Sequence, residues 1–197
     1  MKWGCFHPYT IIDVHSRYIV GWMIDPRESS TLAEPFLAET ITRHGNDRDQ
    51  LTIHSDNGSS MASRPTAFLL ADLGVTKSHS RPHRSNDNPY SETTFETLEY
   101  RPDFPARFSS LERARSHGRQ FFTWYNTEPR HSELGLLTPT DVHHGRAGEV
   151  RARRCATLTA AYTEHPERSA RHPRLPTPPS TVYINRPPVD STNQASA

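Results

Sequence analysis

Apolar residues follow two periods over the first 145 positions. Tyr9-Thr10-Ile11-Ile12-Asp13-Val14 and Tyr18-Ile19-Val20-Gly21-Trp22-Met23-Ile24 are short β-rich runs on either side of His15-Ser16-Arg17, and predict a hairpin over residues 9–24. Residues 51–54 read as a further strand that stops at Asp56-Asn57-Gly58, residues that favour a turn. Helical spacing first shows in Leu32, Phe36, Leu37, Thr40 and Ile41, a stripe ending at Gly45. Ser29, Ser30 and Thr31 offer N-caps there, Thr31 and Glu34 have capping-box spacing, and Pro35 argues for a late start to the regular helix. A short helix over 65–73 closed by Gly74, then a strand over 75–78, complete a strand–helix–strand alternation of the α/β kind. From Pro89 a helix carries Glu92, Phe95 and Leu98 and should stop before Pro102. The most regular stripe is Leu111, Ala114, Gly118, Phe121, Phe122 and Tyr125, opened by Ser109 and Glu112 at capping-box spacing. Thr138-Pro139-Thr140-Asp141 starts a short helical turn, residues 149–162 form a last helix, and 173–197 is an extended Pro-rich tail.

Length bounds this pattern to one domain: 197 residues can bury a substantial core, and a second full domain is not expected. Apolar content is only 33% and there are 17 prolines, but the apolar residues lie before position 145 while Pro, Arg and Ser dominate later. The division is therefore a core over 1–145 and a C-terminal helix with a tail over 146–197. A net charge of +1 names no partner by itself. Cys5 and Cys155 lie far apart, no signal peptide precedes the first strand, and no apolar run approaches the roughly 20 residues of a membrane span. The expectation is a soluble chain in the reducing cytoplasm, with no membrane partner.

Candidate chemistry lies at the two ends of the stretch 51–92. Asp56 is placed where a strand ends and Glu92 just inside a helix, so two carboxylates can converge as hard ligands for Mg²⁺ or Mn²⁺. Two hold an ion weakly, and a third is usually wanted. The plainer alternative is a solvated turn aspartate and a surface glutamate. Arg81, Arg84 and Arg101, with Arg107, could contact DNA phosphates or pair as surface charge with Asp87, Asp103 and Glu99. His79-x-x-x-His83 and His54 lack companion cysteines, so a loop is expected there rather than zinc. Trp124 and Tyr125 sit on the apolar stripe and read as core rather than base-stacking platforms.

The residues His54-Ser55-Asp56-Asn57-Gly58, Leu70-Ala71-Asp72-Leu73-Gly74-Val75, Ser85-Asn86-Asp87-Asn88-Pro89-Tyr90-Ser91-Glu92, Tyr100-Arg101-Pro102, Trp124-Tyr125-Asn126 and Leu136-Leu137-Thr138-Pro139 resemble the OrfB-type insertion-sequence transposases with a retroviral-integrase-like core. The resemblance spans about residues 9–183. It implies an RNase H-like mixed sheet flanked by helices, and an Asp, Asp, Glu triad that uses Mg²⁺ or Mn²⁺ to cut DNA 3′ ends and join them to a target. Asp56 corresponds to the second carboxylate and Glu92 to the third.

The first carboxylate of that pattern lies on a central strand upstream of the hairpin, and no acidic residue precedes Asp13 here. Asp13 itself belongs to an Asp-x-x-Ser-Arg turn, for which a structural role beside Ser16 and Arg17 is expected. The resemblance thus implies a core truncated at its N-terminus and lacking its first, central strand. Glu96 and Glu99 stand where similar proteins usually carry lysines, which replaces attraction for phosphates with repulsion, and Pro129 stands where His is usual. The expected role is DNA transposition or integration, carried by an inactive fragment of a polynucleotidyl transferase that holds its metal weakly or not at all. DNA is the expected partner, with intact transposase a further one and oligomerisation implied by the resemblance. An alternative is a non-catalytic protein that binds DNA or intact transposase and inhibits it, and a third is a nuclease using Asp13.

Overall fold

The computed structural model describes residues 6–45, 49–56, 61, 63–80, 88–168 and 171–184. Strands β1 (His7–Ile12) and β2 (Ile19–Asp25) form the expected antiparallel hairpin, with Ile11 opposite Gly21 and a register shift between Ile11 and Ile12. Helix α1 (Ser30–His44) leads to β3 (Leu51–Ser55), and α2 (Arg64–Asp72) crosses to β4 (Val75–His79), which pairs with β3 in parallel. Then follow α3 (Pro89–Glu99), α4 (Leu111–Thr127), a 3-10 turn at Ser132–Leu134, α5 (Pro139–His143) and α6 (Ala147–Glu164). Among the described residues the hairpin and the β3–β4 pair remain separate two-stranded sheets. One edge of β1 and one of β3 therefore carry no ladder partner. No residue of either strand is fully buried, whereas Ile19, Gly21 and Ile24 of β2 are.

β2 is the covered strand because helices pack on both of its faces. A side chain at Gly21 would meet Thr40 Oγ1 at 2.7 Å, and one at Gly118 would meet Ile24 Cδ1 at 2.8 Å. Both glycines are thus sites of close backbone approach, to α1 and α4 respectively. The core follows the predicted α4 stripe: Ala114, Phe121, Phe122 and Tyr125 pack with Ile19, Ile24, Leu98 and Phe108. Trp124 is only partly buried at its margin. Asn126, which the stripe did not include, is buried and bonds both backbone groups of Ile19: its Oδ1 accepts from the N–H at 2.9 Å and its Nδ2 donates to the carbonyl at 3.1 Å. That residue begins β2 just after the turn, opposite Ile12 and beside the irregularity in the ladder, and the side-chain amide satisfies its backbone groups from α4. A smaller cluster of Leu134, Leu137 and Val150, joined by Val142 and Ala147, fixes α6.

One helix start and one cap differ from the sequence reading. Ser29, extended at φ −157°, caps α1 by accepting from the Thr31 N–H at 3.1 Å, so Thr31 is already helical and Pro35 falls inside the helix. Ser110 rather than Ser109 caps α4, accepting from the Arg113 N–H at 3.2 Å. Adjacent hydroxyl residues are equivalent to a spacing argument, and only the entry angle of the chain selects one.

The turn after β1 is a polar weld, and Asp13 serves it. Its carboxylate accepts from the Ser16 hydroxyl at 2.5 Å and the His15 N–H at 3.0 Å, with His143 Nδ1 of α5 at 3.0 Å. The Tyr18 ring stacks on His143 at 4.3 Å between centroids. Arg17 is buried in a left-handed conformation (φ 62°), bonded to the Val14 carbonyl and, at 2.8 Å, to Glu133. Its guanidinium also lies 3.8 Å over the Tyr90 ring of α3. Burial alone would raise the Asp13 pKa, but the bonds from Ser16, His143 and His15 outweigh it and hold the carboxyl below its ordinary 3.8.

Two outcomes are expected. Asn126→Ala strands two buried backbone groups and should cost about 2 to 4 kcal/mol of stability, read as a lower denaturation midpoint at unchanged slope. Asp13→Asn should lower the melting temperature at neutral pH. Because the folded-state pKa is depressed, the stabilisation from Asp13 is complete above its unfolded value and is lost as pH falls through the folded one. The difference from wild type should therefore close below about pH 4 in melts across an acid series; a gap that stays constant down to strong acid would contradict the assignment.

Candidate functional site

The parallel pairing of β3 with β4 determines where Asp56 stands. Beyond β4, the Ser80 N–H continues the ladder by donating to the Ser55 carbonyl at 3.0 Å. This places the Ser80 hydroxyl to donate to Asp56 Oδ1 at 2.9 Å. The same hydroxyl is 3.2 Å from His54 Nε2, while His54 Nδ1 is 2.9 Å from the Ser78 hydroxyl, so both ring nitrogens are engaged by serines. His54 and His79 are both strand residues, His79 rather than the loop residue expected, and His79 Nδ1 lies 3.4 Å from the Ser55 hydroxyl.

The other oxygen of Asp56 reaches α3. Asn88 Nδ2 donates to Asp56 Oδ2 at 3.2 Å, and the Asn88 carbonyl accepts from the Glu92 N–H at 3.3 Å. Asn88 occupies the N-cap position, where its side chain would ordinarily satisfy a first-turn N–H, yet it makes no cap bond. Its amide goes to Asp56 instead. Pro89 begins the helix, as expected for a residue whose missing N–H costs nothing there. Glu92 is exposed on that first turn, and Asp56 is exposed at the strand end. The structure therefore joins the Asp56 carboxylate to the turn that carries Glu92 through one intervening residue. The positive end of the helix dipole favours both carboxylates there.

α3 is held from behind. Leu98 is fully buried in the core, and Thr94 Oγ1 lies 3.3 Å from the Tyr125 hydroxyl. Burial raises the Tyr125 pKa, and the Thr94 bond offsets part of that rise. Tyr90 lies under the Arg17 guanidinium. The helix that presents Glu92 is thus seated on the core, the α4 stripe and the Asp13–Arg17 turn.

Asp56 and Glu92 supply the hard oxygen donors that Mg²⁺ or Mn²⁺ prefers, and Asp56 is already oriented by two neutral donors. Among the described residues no three His, Cys, Asp or Glu side chains stand together as an ion's ligands. Asp13 is not a third, being committed to Ser16, His15 and His143. Arg101 forms a two-pronged pair with Asp103 at 2.7 and 3.0 Å and lies 4.1 Å from the Trp124 ring centroid. This is the surface pairing weighed from the sequence. Arg81, Arg84 and His83 lie outside the described residues. Sequence reasoning missed Ser80 and Asn88 as partners of Asp56; Asn-Pro before a helix signals a cap, and nothing local shows that the cap is diverted.

The integrase core domain family matches residues 1–85, and a second integrase core domain family matches residues 73–139. The transposase for insertion sequence element IS904 of Lactococcus lactis subsp. lactis (strain IL1403) is 29% identical over 141 residues, 71% of this chain and 55% of that protein. Transposase InsF for insertion sequence IS3A of Escherichia coli (strain K12) is 28% identical over 137 residues, 69% of this chain and 47% of its own. The chain spans about half the length of the curated relatives it matches. Among solved structures, the catalytic core domain of BIV integrase superposes with a TM-score of 0.55 at 18% identity, over 75% of this chain and 91% of that one. The simian T-cell lymphotropic virus intasome, in complex with PP2A regulatory subunit B56 gamma, gives 0.54 at 15%, over 90% and 54%. The fold is accordingly the RNase H-like α/β arrangement of retroviral integrase cores. No helix among the described residues is long and apolar enough to cross a membrane. With integrase core matches running through residues 1–139 and insertion-sequence transposases among its sequence relatives, the chain is similar to the insertion-sequence transposases and carries an integrase-like core.

Proposed function

We propose that this chain supplies Asp56 and Glu92 to a divalent-metal site for DNA 3′-end cleavage and strand transfer in transposition. The observation that carries the reading is the diverted cap, in which the Asn88 amide serves the Asp56 carboxylate rather than its own helix. A solvated turn aspartate has no need of two dedicated side-chain donors. Asp56 and Glu92 would hold Mg²⁺ or Mn²⁺; when bound, such an ion stabilises the attacking and leaving oxygens of phosphoryl transfer. Ser80 and Asn88 fix the plane and direction of the Asp56 carboxylate, and the α3 anchors fix Glu92. DNA is the substrate class, the cytoplasm the place of action, and assembly into an oligomer on DNA ends follows the intasome likeness.

The unpaired edges of β1 and β3 support the second half of the reading. A strand laid between them would complete one mixed sheet and could deliver a third carboxylate beside Asp56. Without it, the exposed ladder groups weaken both sheets and two carboxylates hold an ion poorly.

This chain alone is expected to show no strand transfer and only weak Mn²⁺ binding. Joined to an upstream strand bearing an aspartate, it should melt more cooperatively and join labelled DNA ends in Mn²⁺. In that form Asp56→Asn or Glu92→Gln should abolish joining, while Ser80→Ala and Asn88→Ala should weaken Mn²⁺ binding roughly 10- to 100-fold. End joining that survives both carboxylate substitutions would sink the proposal.

A further inference from the structure

α3, the helix nearest the candidate metal site, is badly suited to hold DNA. Its charged residues are Glu92, Glu96 and Glu99, with no basic residue among them. The chain's charge is divided along its length: residues 1–144 carry fifteen Lys and Arg against eighteen Asp and Glu, and residues 145–197 carry eight Arg against four Asp and Glu. Net positive charge, which can balance phosphates, is therefore concentrated toward the C-terminal part of the chain.

Arginines meet at a cavity of about 650 Å³ between the end of α4, the start of α5 and α6. Arg130, Arg153 and Arg154 line it, with the hydroxyl residues Thr127, Thr138 and Thr157. Arg154 donates to the Leu136 carbonyl at 2.6 Å, a neutral partner that leaves its charge uncompensated. Among the described residues Arg130 and Arg153 are exposed and enter no ion pair. Two acids also line the cavity. Asp141 is occupied, accepting from the Thr138 N–H at 3.4 Å with Arg146 at 4.0 Å, whereas Glu128 is exposed and opposes an anion. Arg153 and Arg154 are adjacent on α6, whose seating through Val150 keeps them beside Arg130 at the end of α4.

We propose that this arginine-lined cavity is a sequence-independent phosphate-backbone site for DNA, separate from Asp56 and Glu92. It rests on the reading that the chain handles DNA, and it assigns the holding of that DNA to α6 and the end of α4. Guanidinium groups without carboxylate partners, flanked by hydroxyl donors, match the charge and hydrogen-bonding of successive phosphodiesters.

The test is fluorescence anisotropy of a short labelled DNA duplex titrated with the full chain over a salt series. Arg130→Ala with Arg153→Ala should lower affinity on the order of tenfold at 0.1 M salt and reduce the log–log salt slope by about 1.8, equally for unrelated sequences. Arg153→Lys should retain most of the binding, and Glu128→Gln should tighten it. The wild-type salt slope should persist in EDTA, which separates failure of the metal site from failure of this one. Unchanged affinity and slope in the double arginine variant, at wild-type melting temperature, would overturn the assignment. Should that variant unfold, Glu128→Gln decides: tighter binding supports the site and unaltered binding refutes it.

Discussion

The close approach of α4 to β2 depends on Gly118 having no side chain to strike Ile24, and on the Asn126 amide pairing both backbone groups of Ile19. One contact removes a steric obstacle and the other satisfies polar groups that the helix would otherwise bury unpaired. Together they let Phe121, Phe122 and Tyr125 close over Ile19 and Ile24. Because α1 covers the other face of β2 through the gap at Gly21, this strand is the fixed member of the hairpin. β1 is attached through it, and the rest of the chain is positioned from it.

α3 carries that order to the candidate site. Leu98 and Thr94 bind it to the core side, Tyr90 to the buried Arg17, and Asn88 to Asp56. The Asp13 turn is thus coupled to the site although its carboxylate is not part of it: it shapes the loop that places Arg17 beneath α3. The β3–β4 pair has no comparable anchor in the hairpin, since no ladder joins the two sheets among the described residues. This is the physical sense in which an added strand would serve both folding and function.

Charge is arranged with a similar division. The acidic face of α3 suits cation binding and repels phosphates, Arg101 is spent on Asp103 and Trp124, and arginines without a carboxylate partner among the described residues gather where α6 meets the end of α4. Holding the DNA and reacting at its ends would then be tasks of different surfaces. A net charge near zero conceals this, because summing over the chain discards position.

The local pattern determined the elements. Alternation placed the hairpin and β3, the helical stripe placed α4 and its buried face, Pro89 opened α3, and Gly45 and Gly74 closed the segments before them, because each signal acts within a few residues. The motifs around Asp56 and Glu92 were enough to name the fold. What only the tertiary structure decided were juxtapositions of residues distant in the chain: Ser80 and Asn88 on Asp56, Asn126 on Ile19, His143 on Asp13, and Arg130 and Arg153 lining one cavity. Caps lay between the two, since neighbouring hydroxyls compete and the winner depends on the direction from which the chain enters. Periodicity reports which face of an element is apolar, but the partner of a polar side chain is chosen by whatever packing brings within about 3 Å of it.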